Sequence, residues 1–86
     1  MIILPQDKEP VISLEERFRM EIYPTYENLT DALAMIGTEP DGYHIRLDQR
    51  DKSDVLGHYK TLDEAKRVIE EFTEAYDSGI KVFRVK

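Results

Sequence analysis

Residues 57–65 read Gly-His-Tyr-Lys-Thr-Leu-Asp-Glu-Ala, and this stretch decides the fold because it joins the end of a strand to the start of a helix. Thr61 is predicted to be the N-cap, with its hydroxyl accepting a hydrogen bond from the backbone N–H of Glu64. Glu64 can return a bond to the N–H of Thr61, which makes the pair a capping box. Asp63 and Glu64 also place negative charge at the positive end of the helix dipole. The stretch therefore predicts a helix that begins at Leu62.

The residues that follow have the periodicity of a helix with one apolar side. Apolar side chains recur at intervals of three and four: Leu62, Ala65, Ile69, Phe72 and Tyr76, with Val68 and Ala75 widening the stripe. Gly79 is well placed to end the helix in a left-handed conformation. We therefore predict a helix over residues 62–77, with Phe72 and Tyr76 in the core.

The first third of the chain has strand-like patterns. Residues 1–4 are predicted to form an early strand, residues 5–10 a turn between two prolines, and residues 11–14 a short returning strand. Residues 17–23 alternate between apolar and polar side chains, as a half-buried antiparallel strand does. Pro24 is predicted to end that strand.

The second half predicts a β-hairpin, a helix and a closing strand over residues 80–85. In the hairpin, the all-polar residues 48–54 are predicted to form the loop. Matching the parity of the two strands pairs Tyr43 with Tyr59, Ile45 with Gly57, and Leu47 with Val55.

Together these patterns predict one domain, residues 1–86, of the α+β class. Its architecture is an antiparallel β-sheet packed on one long helix. A short second helix is predicted near residues 28–36, between the two halves, because Leu29, Leu33 and Ile36 keep helical spacing.

Composition excludes several classes of protein. The chain of 86 residues has no cysteine, so no disulfide framework or thiolate site is predicted, and no apolar run is long enough to span a bilayer. These features favour a cytoplasmic protein without membrane contact. The net charge of −6 argues against direct nucleic-acid binding, which needs a basic surface, and favours a partner with a basic one.

The polar side of the long helix is the first candidate binding surface. Five acidic side chains are predicted to oppose its apolar stripe or lie beside that side: Asp63, Glu70, Glu71, Glu74 and Asp77. A solvated surface gives the same pattern, with its charge offset by Lys81, Arg84 and Lys86 of the closing strand. The alternative is an acidic docking site for a basic protein.

A second candidate site combines arginine and tyrosine. Arg17, Arg19 and Tyr23 are predicted to share one strand face, and Arg46 lies in the hairpin. Arginine offers forked donors to a phosphate and tyrosine offers a stacking surface, so a nucleotide is a candidate ligand. An edge strand that carries charge against aggregation has the same sequence.

His44 and His58 are predicted to lie opposite each other on the outer face of the hairpin. We interpret them as structural residues, with a shared metal or a proton-transfer role as the alternative. The sequence has no nucleophile elbow, no phosphate-binding glycine loop and no third metal ligand by spacing. We therefore predict that the protein is not an enzyme and that it has no cofactor or metal site.

One family resemblance extends this interpretation. Residues 56–69 read Leu-Gly-His-Tyr-Lys-Thr-Leu-Asp-Glu-Ala-Lys-Arg-Val-Ile, and residues 74–76 and 82–85 read Glu-Ala-Tyr and Val-Phe-Arg-Val. With the opening Met-Ile-Ile-Leu-Pro-Gln-Asp, they resemble small proteins of phages and prophages of Gram-positive bacteria. The resemblance does not extend to residues 17–42. It implies a phage-encoded protein in the host cytoplasm, and it assigns no functional residue.

A second resemblance concerns DNA. Residues 42–48 read Gly-Tyr-His-Ile-Arg-Leu-Asp, and with Tyr-Lys-Thr at 59–61 and Glu-Ala at 64–65 they are similar to the arm-binding domain of phage tyrosine integrases. That domain packs a three-stranded sheet on a helix and lays the sheet on DNA, using several basic residues in its hairpin. This chain departs from that pattern because three acidic residues balance its basic ones: Arg46, Arg50 and Lys52 against Asp48, Asp51 and Asp54.

The expected function is that of a non-catalytic, phage-type accessory binding protein. Through its acidic surface it would inhibit a host defence, as anti-CRISPR proteins do, or another nucleic-acid-handling complex. The expected partner is a host protein with a basic surface. The alternatives are a small DNA-binding module like the integrase arm-binding domain, and an oligomer that sequesters a nucleotide signal. A homodimer through the heptad-like spacing of the helix is a further alternative.

Overall fold

A computed structural model describes residues 1–26 and 39–86, and in these residues the chain has an α+β fold. The elements in chain order are β1 (Ile2–Leu4), β2 (Ile12–Ser13), β3 (Arg19–Thr25), β4 (Gly42–Gln49), β5 (Lys52–Tyr59), α1 (Leu62–Asp77) and β6 (Val82–Arg84). The strands predicted at both ends of the chain and the long helix are confirmed. The short helix predicted near residues 28–36 lies outside the described residues.

The strands of the described residues form two three-stranded sheets, and the prediction of a single antiparallel sheet was wrong. One sheet is the antiparallel meander β3–β4–β5. In the other, β1 lies between β2, which is antiparallel to it, and β6, which is parallel to it. The closing strand therefore pairs with the first strand and not with the hairpin. Alternation along a strand reports which side chains are buried, and it does not identify the neighbouring strand.

The loop predicted over residues 48–54 is much shorter in the structure. β4 runs to Gln49, β5 begins at Lys52, and only Arg50 and Asp51 connect them. Arg50 has a positive φ of 47°. A two-residue hairpin turn requires a positive φ, and residues other than glycine seldom adopt one. The polar residues on either side of this turn can lie in strands because the buried one, Gln49, has hydrogen-bond partners for its side-chain amide. Its Nε2 donates to the carbonyl of Ser13, and its Oε1 accepts from the N–H of Glu15.

A β-bulge in β5 changes the register that the sequence predicted. Tyr43 pairs with Tyr59 and Ile45 with Gly57, as predicted, but the pairing then shifts so that Leu47 faces Asp54. The extra residue is Leu56, which exposes only 2% of its surface, whereas Val55 turns outward and exposes 44%. Strict parity cannot anticipate such a shift, because a bulge inserts one residue into one strand only. The predicted pairing of Leu47 with Val55 was therefore wrong.

β3 passes through Pro24, although the sequence predicted that this proline ends the strand. β3 is an edge strand of its sheet. Proline is tolerated at an edge because its missing N–H can lie on the unpaired side. At the other end the strand begins at Arg19, so Arg17 lies in a bend before it and not on the predicted strand.

The helix has the predicted ends. Thr61 has an extended backbone, and its Oγ1 accepts from the backbone N–H of Glu64 at 3.2 Å. The Glu64 carboxylate accepts from the Thr61 hydroxyl at 3.1 Å, so its side chain meets the hydroxyl and not the predicted backbone N–H. At the other end Gly79 has φ +73°, the left-handed conformation that favours glycine after a helix.

We expect Thr61→Ala to lower the free energy of unfolding by about 1 kcal/mol, because the N–H of Glu64 loses its acceptor. Urea denaturation monitored by circular dichroism measures this change. Thr61→Ser is the matched control, because it keeps the hydroxyl and should retain most of the stability. Equal stability of the alanine and wild-type proteins would contradict the assignment of Thr61 as the N-cap.

The core joins the two sheets and the helix. Among residues 1–26 and 39–86, ten hydrophobic residues form one buried cluster: Ile3, Ile12, Ile45, Leu47, Leu56, Tyr59, Ala65, Val68, Phe72 and Val85. Phe72 is in the core, as predicted, and exposes only 5% of its surface. Tyr76 exposes 47%, so its prediction as a core residue was wrong. Tyr76 lies in the last turn of α1, and its ring packs against Phe18, ahead of β3.

Candidate functional site

The exposed side of α1 carries the acidic residues that the sequence singled out. Asp63, Glu70, Glu74 and Asp77 are all exposed, and we call these four residues the acidic face. None of them forms a salt bridge with a residue in the described part of the chain. Lys66 and Arg67 lie in the first half of the helix, but from Val68 to Asp77 the helix contains acidic residues and no basic one.

Glu71 differs from the other predicted acidic residues. Its carboxylate lies 3.9 Å from the ammonium of Lys86, and its side chain is only 38% exposed. The alternative interpretation of the sequence was that Lys81, Arg84 and Lys86 offset the charge of the helix, and Lys86 does so for Glu71. Glu71 therefore borders the acidic face and does not belong to it.

Three residues of the acidic face, Glu70, Glu74 and Asp77, are unfavourable for the helix that carries them. Glu74 and Asp77 lie at the negative end of the helix dipole, where each carboxylate costs about 0.3–1 kcal/mol at low salt. Glu70 and Glu74 form a like-charge pair one turn apart, which costs a few tenths of a kcal/mol more. No basic residue lies in the last turn to compensate.

An apolar groove lies beside the acidic face. It is lined by Phe18, Met20, Ile69, Phe72, Thr73 and Tyr76, and we call these residues the apolar groove. The Phe18 ring meets Phe72 edge-on with 5.8 Å between ring centroids, and its centroid lies 5.7 Å from that of Tyr76. Thr73 is three residues after Glu70 and four before Asp77, so the helix places both carboxylates next to the groove.

The outer face of the β3–β4–β5 sheet holds the predicted ligand-binding residues. Tyr23 and Arg46 come together, with the guanidinium carbon 4.7 Å from the ring centroid. The ring of His44 stacks near Tyr23, with a centroid distance of 5.9 Å and an interplanar angle of 20°. Arg17 is not on this face of the strand, because it lies in the bend before β3.

The arginines of this face already have acidic partners. Arg46 binds Asp48 at 3.2 Å, and Arg19 binds Glu21 at 3.3 Å. The bond to Asp48 raises the pKa of Arg46, and a hydrogen bond from Ser53, followed by the effect of Arg46, lowers the pKa of Asp48. Tyr23 donates its hydroxyl to Glu21 at 2.8 Å, which raises the pKa of Tyr23. A phosphate would have to displace these carboxylates.

His44 and His58 lie opposite each other on this outer face, as predicted. Their ring centroids are 5.8 Å apart. His44 is half-buried, and its Nδ1 lies 2.6 Å from the Oγ1 of Thr25. Burial lowers the pKa of His44, and the nearby His58 and Arg46 lower it further.

We expect acidification to destabilise the protein through His44. The unfolded chain takes up the proton near the ordinary histidine pKa, while the folded chain resists it until the pH falls to the lowered pKa. Stability from this group is therefore present above the ordinary pKa and is lost as the pH falls through the lowered one.

An NMR titration of the imidazole Hε1 signals should give His44 a lower midpoint than a histidine in a peptide. His58→Asn should raise that midpoint, because it removes one of the neighbouring charges. A His44 midpoint at or above the peptide value would contradict the lowered pKa.

The apolar groove was not predicted from the sequence. Its apolar helical residues, Ile69, Phe72 and Tyr76, belong to the periodic stripe, and that stripe predicts burial with equal weight along the whole helix. The spacing of the apolar residues does not show where along the helix the stripe loses its cover, so it could not separate Tyr76 from the buried residues.

No protein-family model, curated protein or solved structure that was compared with the chain matches it. Among residues 1–26 and 39–86, no helix combines the length and apolar character that crossing a membrane requires.

Proposed function

We propose that the protein is a non-catalytic accessory binding protein whose acidic face binds a basic surface on another protein. The observation that carries the proposal is the run from Val68 to Asp77, where exposed carboxylates gather at the unfavourable end of the helix without a basic residue among them. These carboxylates destabilise the helix, and contact with solvent alone does not require them there. A partner with a basic surface would be attracted by the same carboxylates.

The apolar groove supports the same surface. Protein interfaces combine apolar anchors at their centre with polar residues at the rim. Here the groove would take an apolar side chain of the partner, and Glu70 and Asp77 would meet basic side chains next to it. This arrangement takes α1 to lie with its apolar side on the β3–β4–β5 sheet, which its contacts with β4 and β5 support.

The proposed partner is a nucleic-acid-handling protein of a bacterial host, which the protein would inhibit by covering a basic nucleic-acid site. Such sites are basic because they neutralise phosphates, so an acidic protein surface can compete for them. The inhibition of a host defence complex rests on the resemblance to small phage proteins. The net charge of −6 and the outer-face arginines, which are paired with carboxylates, favour this function over direct DNA binding.

Capture from a lysate of a Gram-positive bacterium tests the proposal when two charge variants accompany the wild type. The test variant is Glu70→Lys with Glu74→Lys and Asp77→Lys. The control reverses three exposed carboxylates outside the helix, Asp7, Glu16 and Glu39, and changes the net charge equally. We expect wild type and control to retain the same basic protein and to release it at high salt, and the test variant to lose it.

Three results would contradict the proposal. The test variant could retain the captured protein as strongly as the wild type, or the captured protein could lack a basic surface. A labelled DNA or RNA duplex could bind the purified chain at low salt, which would favour the integrase-like alternative. Sedimentation analysis separates the remaining case, in which a second copy of this chain fills the groove.

A further inference from the structure

The two histidines of the outer face form a cross-strand pair of a particular kind. The backbone N–H of His58 donates to the Oε1 of Gln6 at 2.8 Å, and the His58 carbonyl accepts from the Nε2 of Gln6 at 3.3 Å. Both backbone groups of His58 therefore point away from β4. His44 and His58 are thus a non-hydrogen-bonded pair, the type in which opposite side chains come closest.

The spacing of the rings suits a shared metal ion. Two imidazole nitrogens that bind one tetrahedral ion at about 2.1 Å place their ring centroids about 5.2 Å apart. The observed separation is 5.8 Å, with an angle of 43° between the ring planes. Small side-chain rotations, or a coordination angle somewhat wider than tetrahedral, cover the difference.

Thr25 fixes the orientation that such a site needs. Its Oγ1 lies 2.6 Å from the Nδ1 of His44, so the remaining nitrogen, Nε2, is left as the ligand. A partner on the second ring nitrogen is the usual support of a metal-binding histidine, because it sets the tautomer and the direction of the ring. On its other side His44 stacks near Tyr23, which restrains the ring further.

The sequence favoured a structural role for both histidines over a shared metal, and the geometry favours the alternative: we propose that His44 and His58 form a binding site for a divalent late transition-metal ion such as Zn²⁺, with His44 Nε2 and one ring nitrogen of His58 as ligands. Among residues 1–26 and 39–86, no group of three or more histidine and carboxylate side chains is arranged around one point. Water completes the coordination, and the affinity is accordingly lower than that of a structural zinc site with four protein ligands.

The electrostatics of the pair fit this role. A metal ligand must be neutral imidazole, and burial, with His58 and Arg46 nearby, lowers the pKa of His44 and so favours its neutral form. Imidazole nitrogens favour Zn²⁺ and Cu²⁺, whereas Mg²⁺ takes oxygen ligands, so the site should discriminate between these ions.

Titration of the full chain with Zn²⁺, followed by the NMR signals of both imidazoles, tests the site. We expect both histidines to shift together with a dissociation constant tighter than about 1 mM, and no shift with Mg²⁺. The nitrogen signals should identify Nε2 of His44 as the bound atom. A shift of only one histidine, or no shift in this range, would overturn the proposal.

Variants separate the metal site from a structural role. His44→Ala and His58→Ala should each weaken Zn²⁺ binding at least about tenfold. Thr25→Val should weaken it by roughly 10-fold through the lost support of His44, while Thr25→Ser should bind as the wild type does. Circular dichroism checks that each variant is folded. Unchanged Zn²⁺ affinity in a folded His58→Ala protein would also overturn the proposal.

Discussion

Reversing three charges of the acidic face, Glu70→Lys with Glu74→Lys and Asp77→Lys, should weaken binding of the captured partner roughly 100-fold. An exposed ion pair contributes about 0.2–1 kcal/mol, and reversal replaces each attraction with a repulsion of similar size. Three reversals therefore cost about 3 kcal/mol at moderate salt, which is roughly 100-fold in the dissociation constant. Titration calorimetry with the purified partner measures the change at two salt concentrations.

The same variant should be at least as stable as the wild type. Lysines at positions 74 and 77 interact favourably with the negative end of the helix, where carboxylates cost about 0.3–1 kcal/mol each. Binding and stability are then expected to change in opposite directions, which separates a lost interface from a damaged fold. A variant that binds normally, or one that fails to bind because it has unfolded, would contradict this account of the acidic face.

Phe72→Ala should lower the free energy of unfolding by about 3–5 kcal/mol, the usual cost of removing a buried phenylalanine ring. Phe72 is 5% exposed, and its ring contacts Phe18, Tyr76 and Phe83 with centroid distances of 5.8, 5.9 and 5.5 Å. A domain of this size is stabilised by about 4–13 kcal/mol in total, so the variant should be close to unfolding. Urea denaturation measures the loss.

Tyr76→Ala is the matched control for Phe72→Ala. It removes a ring of similar size from the same groove, but Tyr76 is 47% exposed, so the loss should be roughly half as large. Equal losses in the two variants would show that burial along α1 differs from that described. Because Tyr76 lines the apolar groove, its replacement should also weaken partner binding while the domain stays folded.

Local chemistry made the helix predictable from the sequence. The cap at Thr61, the stop at Gly79 and the apolar periodicity between them all act within a few residues, so each can be read directly from the chain. The pairing of Tyr43 with Tyr59 and of His44 with His58 was also predicted correctly, because alternation shows which residues of each strand share a face, and the bulge brings the two apolar faces into match at this end of the hairpin.

The remaining features depend on contacts between distant residues. The burial of Leu56 follows from a bulge, and the main-chain carbonyl at this bulge accepts from the N–H of Gln6 at 2.7 Å. The two-residue turn at Arg50 depends on Gln49, whose side chain forms hydrogen bonds with Ser13 at the end of β2 and with Glu15 after it. Neither partner is adjacent in sequence, so the polar run from residue 48 to 54 resembles a loop.

The candidate binding surfaces also combine features that the local sequence predicts with features that depend on distant contacts. The exposed acidic residues follow from helical periodicity, but the salt bridge between Glu71 and Lys86 depends on the position of the chain after β6. The contact of Arg46 with Tyr23 depends on the register between β4 and β3, which brings Arg46 opposite Glu21. The sequence predicted the arginines and Tyr23 as ligand-binding groups, and only the fold shows that carboxylates already bind them.

The most direct test of the account is to locate the partner on the surface by NMR with the isotopically labelled chain. We predict that the captured basic protein shifts the amide signals of Glu70, Thr73, Glu74 and Asp77, with smaller changes at Phe18 and Met20 across the groove. Shifts confined to the outer face of the β3–β4–β5 sheet, with α1 unaffected, would contradict it.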